Sequence, residues 1–139
     1  MADSSNVDAA VITKLSGDAT LMASLTNGVF ADVATPGSTL FAIVSQVDHN
    51  DEYMFEGCAY ERFLYLVKAV CLGADGTTVK TAAARIHTLL QDVPLTITGY
   101  SHMLTRREGR IRYTEVDDAD PAIRWQHRGG RYEVLVSPS

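Results

Sequence analysis

The sequence predicts an α+β domain: a mostly antiparallel sheet, one long helix packed on a face, and short amino-terminal helices. Three observations carry that expectation. From Tyr60 to Leu72 the chain alternates so that Phe63, Tyr65, Val67, Ala69 and Cys71 share one face of an extended strand. After the turn residues Gly73-Ala74-Asp75-Gly76, the positions Val79, Ala82, Ala83, Ile86, Leu89 and Leu90 recur at helical spacing and form an apolar stripe that needs a flat surface to lie on. Beyond Pro94 the sequence turns to short β-type runs separated by breakers.

The elements follow in order. Residues 1–6 read as a flexible tail, 7–136 as a single domain and 137–139 as a second tail. A first helix is expected from about Val7 to Leu15, capped by Ser5 or Asn6 and stopped by Gly17. Asp18 then caps a short helical turn through Leu21, Met22 and Leu25, which Asn27-Gly28 ends. Val29–Ala34 is a short strand, and Thr35-Pro36-Gly37-Ser38 is a turn. Leu40 to Asp48 is β-branched and aromatic, with Leu40, Ala42 and Val44 on one face and Phe41, Ile43 and Val47 on the other. His49 to Gly57 reads as a polar loop long enough to reach a neighbouring molecule. On propensity alone Tyr60–Leu72 could also be helical; its alternation favours a strand. Thr77 to Gln91 is the long helix, with Asp75 or Thr77 as cap. Leu95–Thr98 is a short strand. Tyr100–Arg107 and Arg110–Val116 are expected to form a hairpin about Glu108-Gly109. Ile123–Arg128 and Arg131–Val136 are expected to form another about Gly129-Gly130, a dipeptide that tolerates positive φ.

Composition bounds the function. The 139 residues suit one domain, and 46% hydrophobic with 21% charged residues excludes wholesale disorder. Cys58 and Cys71 read as buried hydrophobes of a reducing compartment. The first residues lack a basic region and an apolar core, and no run reaches the roughly 18 apolar residues of a membrane helix, so a cytosolic origin is expected. The net charge of −5 is uneven: residues 1–105 hold five basic against eleven acidic groups, residues 106–139 seven arginines against six acids. Arg106, Arg107, Arg110 and Arg112 crowd together, and arginine presents a planar fork suited to carboxylates or phosphates. An acidic front, with Asp48, Asp51 and Glu52, and an arginine-bearing back could bind each other between copies. A plain solvated hairpin competes with that reading.

Motifs for chemistry are sparse. Asp48-His49-Asn50-Asp51-Glu52 lacks the spacing and the glycine of a calcium loop. Gly73–Thr77 precedes a helix but lacks the lysine of a phosphate-binding loop, and Asp75 would repel phosphate. His87, His102 and His127 fall in no metal or nucleophile motif. Arg106, Arg110 and Arg112 with Tyr113 and Trp125 resemble a basic patch with aromatics, diluted by Glu108, Glu115, Asp117 and Asp118.

The order of elements carries one resemblance. The opening Val7–Leu15 and Asp18–Leu25, the strand-turn-strand Gly28–Val44, the apolar strand from Tyr60, the helix Thr77–Leu90 and the closing Gly129-Gly130-Arg131-Tyr132-Glu133-Val134-Leu135-Val136 together resemble the tail terminators of long-tailed bacteriophages, also called tail-completion or neck proteins. The resemblance spans about Val7 to Val136. It implies a non-enzymatic virion protein without cofactor or metal that caps the completed tail tube as a homo-oligomeric ring, commonly a hexamer. It also implies contacts with the major tail tube protein and with the head connector, passive contact with DNA crossing the lumen, and a place at the tail–neck junction after assembly in the host cytoplasm. On that reading Arg106, Arg107, Arg110, Arg112, Asp48, Asp51 and Glu52 are the candidate subunit or tube contacts. Head-closure or adaptor proteins of the same neck are the nearest alternative. A small enzyme or ligand-binding domain, with a pocket between sheet and helix, is the alternative of another class.

Overall fold

The computed structural model describes residues 3–54, 57–73 and 76–139. Three helices, α1 (Ser5–Ser16), α2 (Ala19–Ser24) and α3 (Thr77–Leu90), cover one face of a five-stranded sheet. Its strands are β1 (Val29–Ala31), β2 (Leu40–Met54), β3 (Gly57–Leu72), β4 (Tyr100–Val116) and β5 (Arg124–Pro138), in the spatial order β1-β2-β3-β5-β4. β1 runs parallel to β2, and every other pairing is antiparallel.

The expected fold class needs correction at its helix. The sheet is mostly antiparallel, but no long helix spans it. α3 has 14 residues, α1 has 12 and α2 has 6, and the chain is predominantly strand. The reason is length. Fourteen helical residues rise about 21 Å, whereas 17 residues of β4 run about 55 Å. Asp92 takes a left-handed φ of 58° just past the end of α3, and Pro94 follows, so the helix cannot lengthen to match. The remaining apolar face is covered by α1, which buries Val7, Val11 and Leu15 completely or nearly so. Each such side chain contributes about 1.5–3 kcal/mol of transfer free energy.

The alternation read in β3 holds. Phe63, Tyr65, Val67 and Ala69 are fully buried against the helices, together with Val79, Ala82, Ile86 and Leu90 of α3. Cys71 on the same face is only half-buried, and the side chain of Cys58 lies outside the described residues. Ala42 and Val44 of β2 join this main core, while Phe41 and Ile43 join a smaller cluster with Val70 and Trp125 on the opposite face. Asp18 caps α2 as expected, accepting from the Leu21 N–H at 2.8 Å. Arg85 of α3 grips the same carboxylate at 2.8 and 2.7 Å, tying α3 to α2. α1 begins at Ser5 rather than Val7, with Ser4 at its cap position and Gly17 past its end. α3 starts after Gly76; Thr77 is its first residue, and the expected cap Asp75 lies outside the described residues.

Several sequence-based boundaries are corrected. The segment His49–Gly57 is not a loop: β2 continues to Met54 and β3 starts at Gly57, forming an extended antiparallel arm, with Phe55 and Glu56 outside the described residues. β1 stops at Ala31, where Asp32 takes a φ of 61°. Leu95–Thr98 makes only an isolated bridge, Ile97 to Tyr100. Neither carboxy-terminal hairpin forms. Glu108-Gly109 sits at a register shift within the continuous strand β4, and Gly129-Gly130 sits inside β5. The Gly129 backbone packs so closely on β3 that a Cβ there would meet the Val67 carbonyl oxygen at 2.1 Å. Close approach, rather than turning, is what these glycines serve.

Candidate functional site

The continuity of β4 decides where its arginines point. Side chains alternate across a strand, and the shift at Glu108 resets the phase, so the cluster divides between the two faces. Arg106 lies opposite Glu133 on the face away from the helices. Arg107 lies opposite Tyr132, which packs on α3 through His87, so Arg107 faces the helices, as do Arg110 and Arg112.

On the helix-free face, Arg106 Nη2 meets Glu133 Oε1 at 3.2 Å. Glu133 Oε2 accepts from Arg62 Nε at 2.6 Å, and Arg62 reaches Glu108 at 3.2 Å and Asp48 at 3.8 Å. Two of the residues read as intersubunit partners, Asp48 and Arg106, are thus linked within one chain through Arg62 and Glu133. The Glu133 carboxylate is nearly buried, and its hydrogen bond is the main cause holding the Arg62 guanidinium above its ordinary value. Asp51 belongs to the other face of the arm. His49 Nε2 sits 3.3 Å from its carboxylate and 2.9 Å from that of Glu61, its ring stacked on Phe63 at 4.3 Å. The three ligand-type atoms lie within 4.8 Å of one another. His49 Nε2 is within hydrogen-bond distance of Glu61 Oε1, with the Asp51 carboxylate beside it, so the three polar groups meet one another within the chain. The sequence reading missed Glu61 because it is brought in by cross-strand register opposite Asp51. Glu52 is exposed, farther along the arm.

The helix-covered face holds a different arrangement. Between α3 and the outer part of β4 and β5 runs a groove made of two adjoining hollows of about 390 and 360 Å³. Lys80 of α3, Arg112 of β4 and Arg128 of β5 line both; Arg107, Arg110 and His87 line the first, and Gly76 and Thr77 at the start of α3 line the second. Arg112 and Arg128 are direct cross-strand partners, a like-charge pairing that costs stability in the absence of a counter-charge. Among the described residues the lining contains no Asp or Glu. Burial, then the charges of Arg107 and Arg110, push the His87 imidazole below its ordinary value. Lys80 and Arg128 were not singled out in the sequence. Their signal was available only through the Arg112–Arg128 register, which the expected Gly129-Gly130 hairpin would have abolished.

The sheet also leaves unlike edges. β4 forms one edge along its length. On the other side β1 covers only Ala42–Val44 of β2, so among the described residues the outer edge of β2 beyond Val44 carries no strand. Among the described residues no helix is long and apolar enough to cross a membrane.

No protein-family model matches the chain, and no curated protein matches it. Among solved structures, a chain described as "Virion of native gene transfer agent (GTA) particle" aligns over 93% of this chain and 94% of its own length, with a TM-score of 0.65 and 21% identity. A second solved chain aligns over the whole of both molecules, with a TM-score of 0.60 and 14% identity. At those identities the likeness establishes a shared fold.

Proposed function

We propose that this chain is a non-enzymatic structural virion protein that assembles as a ring of identical copies and caps the tail tube at the tail–neck junction. The observation that carries this reading is the end-to-end fold match with a chain of a gene transfer agent virion, with no large part of either chain left over. The sequence resemblance to tail terminators points the same way. The geometry supplies what a ring requires. Head-to-tail closure needs two different lateral surfaces on each copy, and here one edge is the 17-residue β4 and the other is the acidic arm of β2 with Asp51 and Glu52. Open strand edges accept a neighbouring strand through backbone hydrogen bonds.

Arg106 and Arg107 on the β4 edge are the arginines placed to meet a neighbour's arm. The double reversal Arg106→Glu/Arg107→Glu is expected to leave a folded monomer that no longer forms rings, and particles assembled with it to carry tails of uncontrolled length. Adding Asp51→Arg/Glu52→Arg should restore assembly. Solution mass and electron microscopy of tails measure both. Rings and tails of normal length from the double reversal would refute the interface. Tails of normal length beside heads that leak DNA would assign the chain to head closure instead.

A further inference from the structure

We infer that the groove between α3 and the β4–β5 pair is a binding surface for the phosphodiester backbone of nucleic acid, contacted without regard to sequence. The inference rests on the groove itself. Lys80, Arg107, Arg110, Arg112 and Arg128 line it, and among the described residues no carboxylate lines it and none of the five has a carboxylate within 4.0 Å. The other arginines of known pairing behave differently: Arg62, Arg85 and Arg106 each hold an acid. In a protein of net charge −5, five cations gathered with no carboxylate of the described residues within ion-pair distance raise a local positive potential that an incoming anion relieves.

The occupant is chosen by chemistry. Arginine forks take phosphate oxygens in pairs, and two joined hollows along the groove suit a chain of anions rather than one. Among the described residues the lining holds no Phe or Trp, its tyrosine Tyr132 is 2% exposed and the His127 ring is buried, so no broad exposed platform for stacking bases is offered and base identity goes unread.

The test uses the purified full chain and a fluorescent single-stranded oligonucleotide, with anisotropy measured over a salt series. Binding is expected to weaken steeply with salt, each engaged cation contributing about 0.7 to the log–log slope. The triple variant Lys80→Gln/Arg110→Gln/Arg128→Gln should lower that slope by roughly 2. It should melt no earlier than the native chain, since like charges are being removed. Arg106→Gln, on the other face and paired with Glu133, should leave binding unchanged. Three results would overturn the inference: no binding at low salt, a slope the triple variant does not change, or displacement of the oligonucleotide by polyglutamate at equal charge concentration. The oligomeric state of each sample, read by solution mass, is independent of these outcomes, so a failed groove and a failed ring are told apart.

Discussion

At the residue scale the most constrained position is Gly129. The turn reading gave it the right residue type for the wrong reason: glycine was legible as a requirement, but the requirement is space. A Cβ there would lie 2.1 Å from the Val67 carbonyl oxygen and 2.5 Å from the Lys68 Cα, both backbone atoms of a central strand that cannot rotate away. Gly129→Ala should therefore cost roughly 3 kcal/mol or more, beyond ordinary overpacking because the yielding atoms are backbone. Chemical denaturation at neutral pH reads this directly. An alanine variant within about 0.5 kcal/mol of the native chain would mean that β3 and β5 are not so closely apposed. The same contrast separates His49 from the metal motifs sought in sequence. Its neighbours Asp51 and Glu61 come from two strands, and local spacing along one strand cannot display a cross-strand partner.

At the scale of elements, the core-facing stripes were readable and the turns were not. Phe63-Tyr65-Val67-Ala69 and Val79-Ala82-Ile86-Leu90 each bury one face, and a face is written in the local period of the sequence. Strand ends are written less clearly. Glu108-Gly109 and Gly129-Gly130 carry turn composition, yet pairing of β4 with β5 from Tyr100–Pro138 to Val116–Arg124 absorbs both into continuous strands. The basic groove depends on that long-range register as well: Arg107, Arg110 and Arg112 stood out in the sequence, but Lys80 and Arg128 join them only through it. The α2–α3 junction rests instead on a pair that local capping rules half reveal. Asp18 caps α2, and Arg85 lowers its pKa to about 2, chiefly through their hydrogen bonds. A carboxyl with a depressed folded pKa stabilises the fold above its unfolded value, near 4, and loses that contribution as pH falls toward 2. Arg85→Gln should flatten the stability profile across that window while leaving the Asp18 cap in place. Unfolding free energies measured at pH 4 and below for both proteins decide it, and parallel profiles would show that the pair is not coupled to folding.

Across the whole molecule, three of the four histidines shift in one direction, with burial the leading cause in each. His87 packs against Tyr132 with Arg107, Arg110 and Asp92 nearby. His102 holds the fully buried Thr105 hydroxyl at 2.6 Å. His127 lies under the Tyr113 ring, with Lys68 and Glu115 beside it, and its buried Nδ1 has no hydrogen-bond partner among the described residues. All three bind a proton less readily folded than unfolded, so the unfolded chain takes up more protons as pH drops below about 6.5. Stability must then fall on acidification from neutral pH, well before the Asp18 window is reached. Occupation of the groove adds a coupled effect at His87: an anion beside Arg107 and Arg110 offsets the charges that disfavour its protonation, so the His87 pKa should rise on oligonucleotide binding, while that of His102, which lines neither hollow, stays put. Proton NMR titration of the imidazole C–H signals, with and without oligonucleotide, separates the three. An equal shift at all three, or none at His87, would show that the bound anion lies elsewhere.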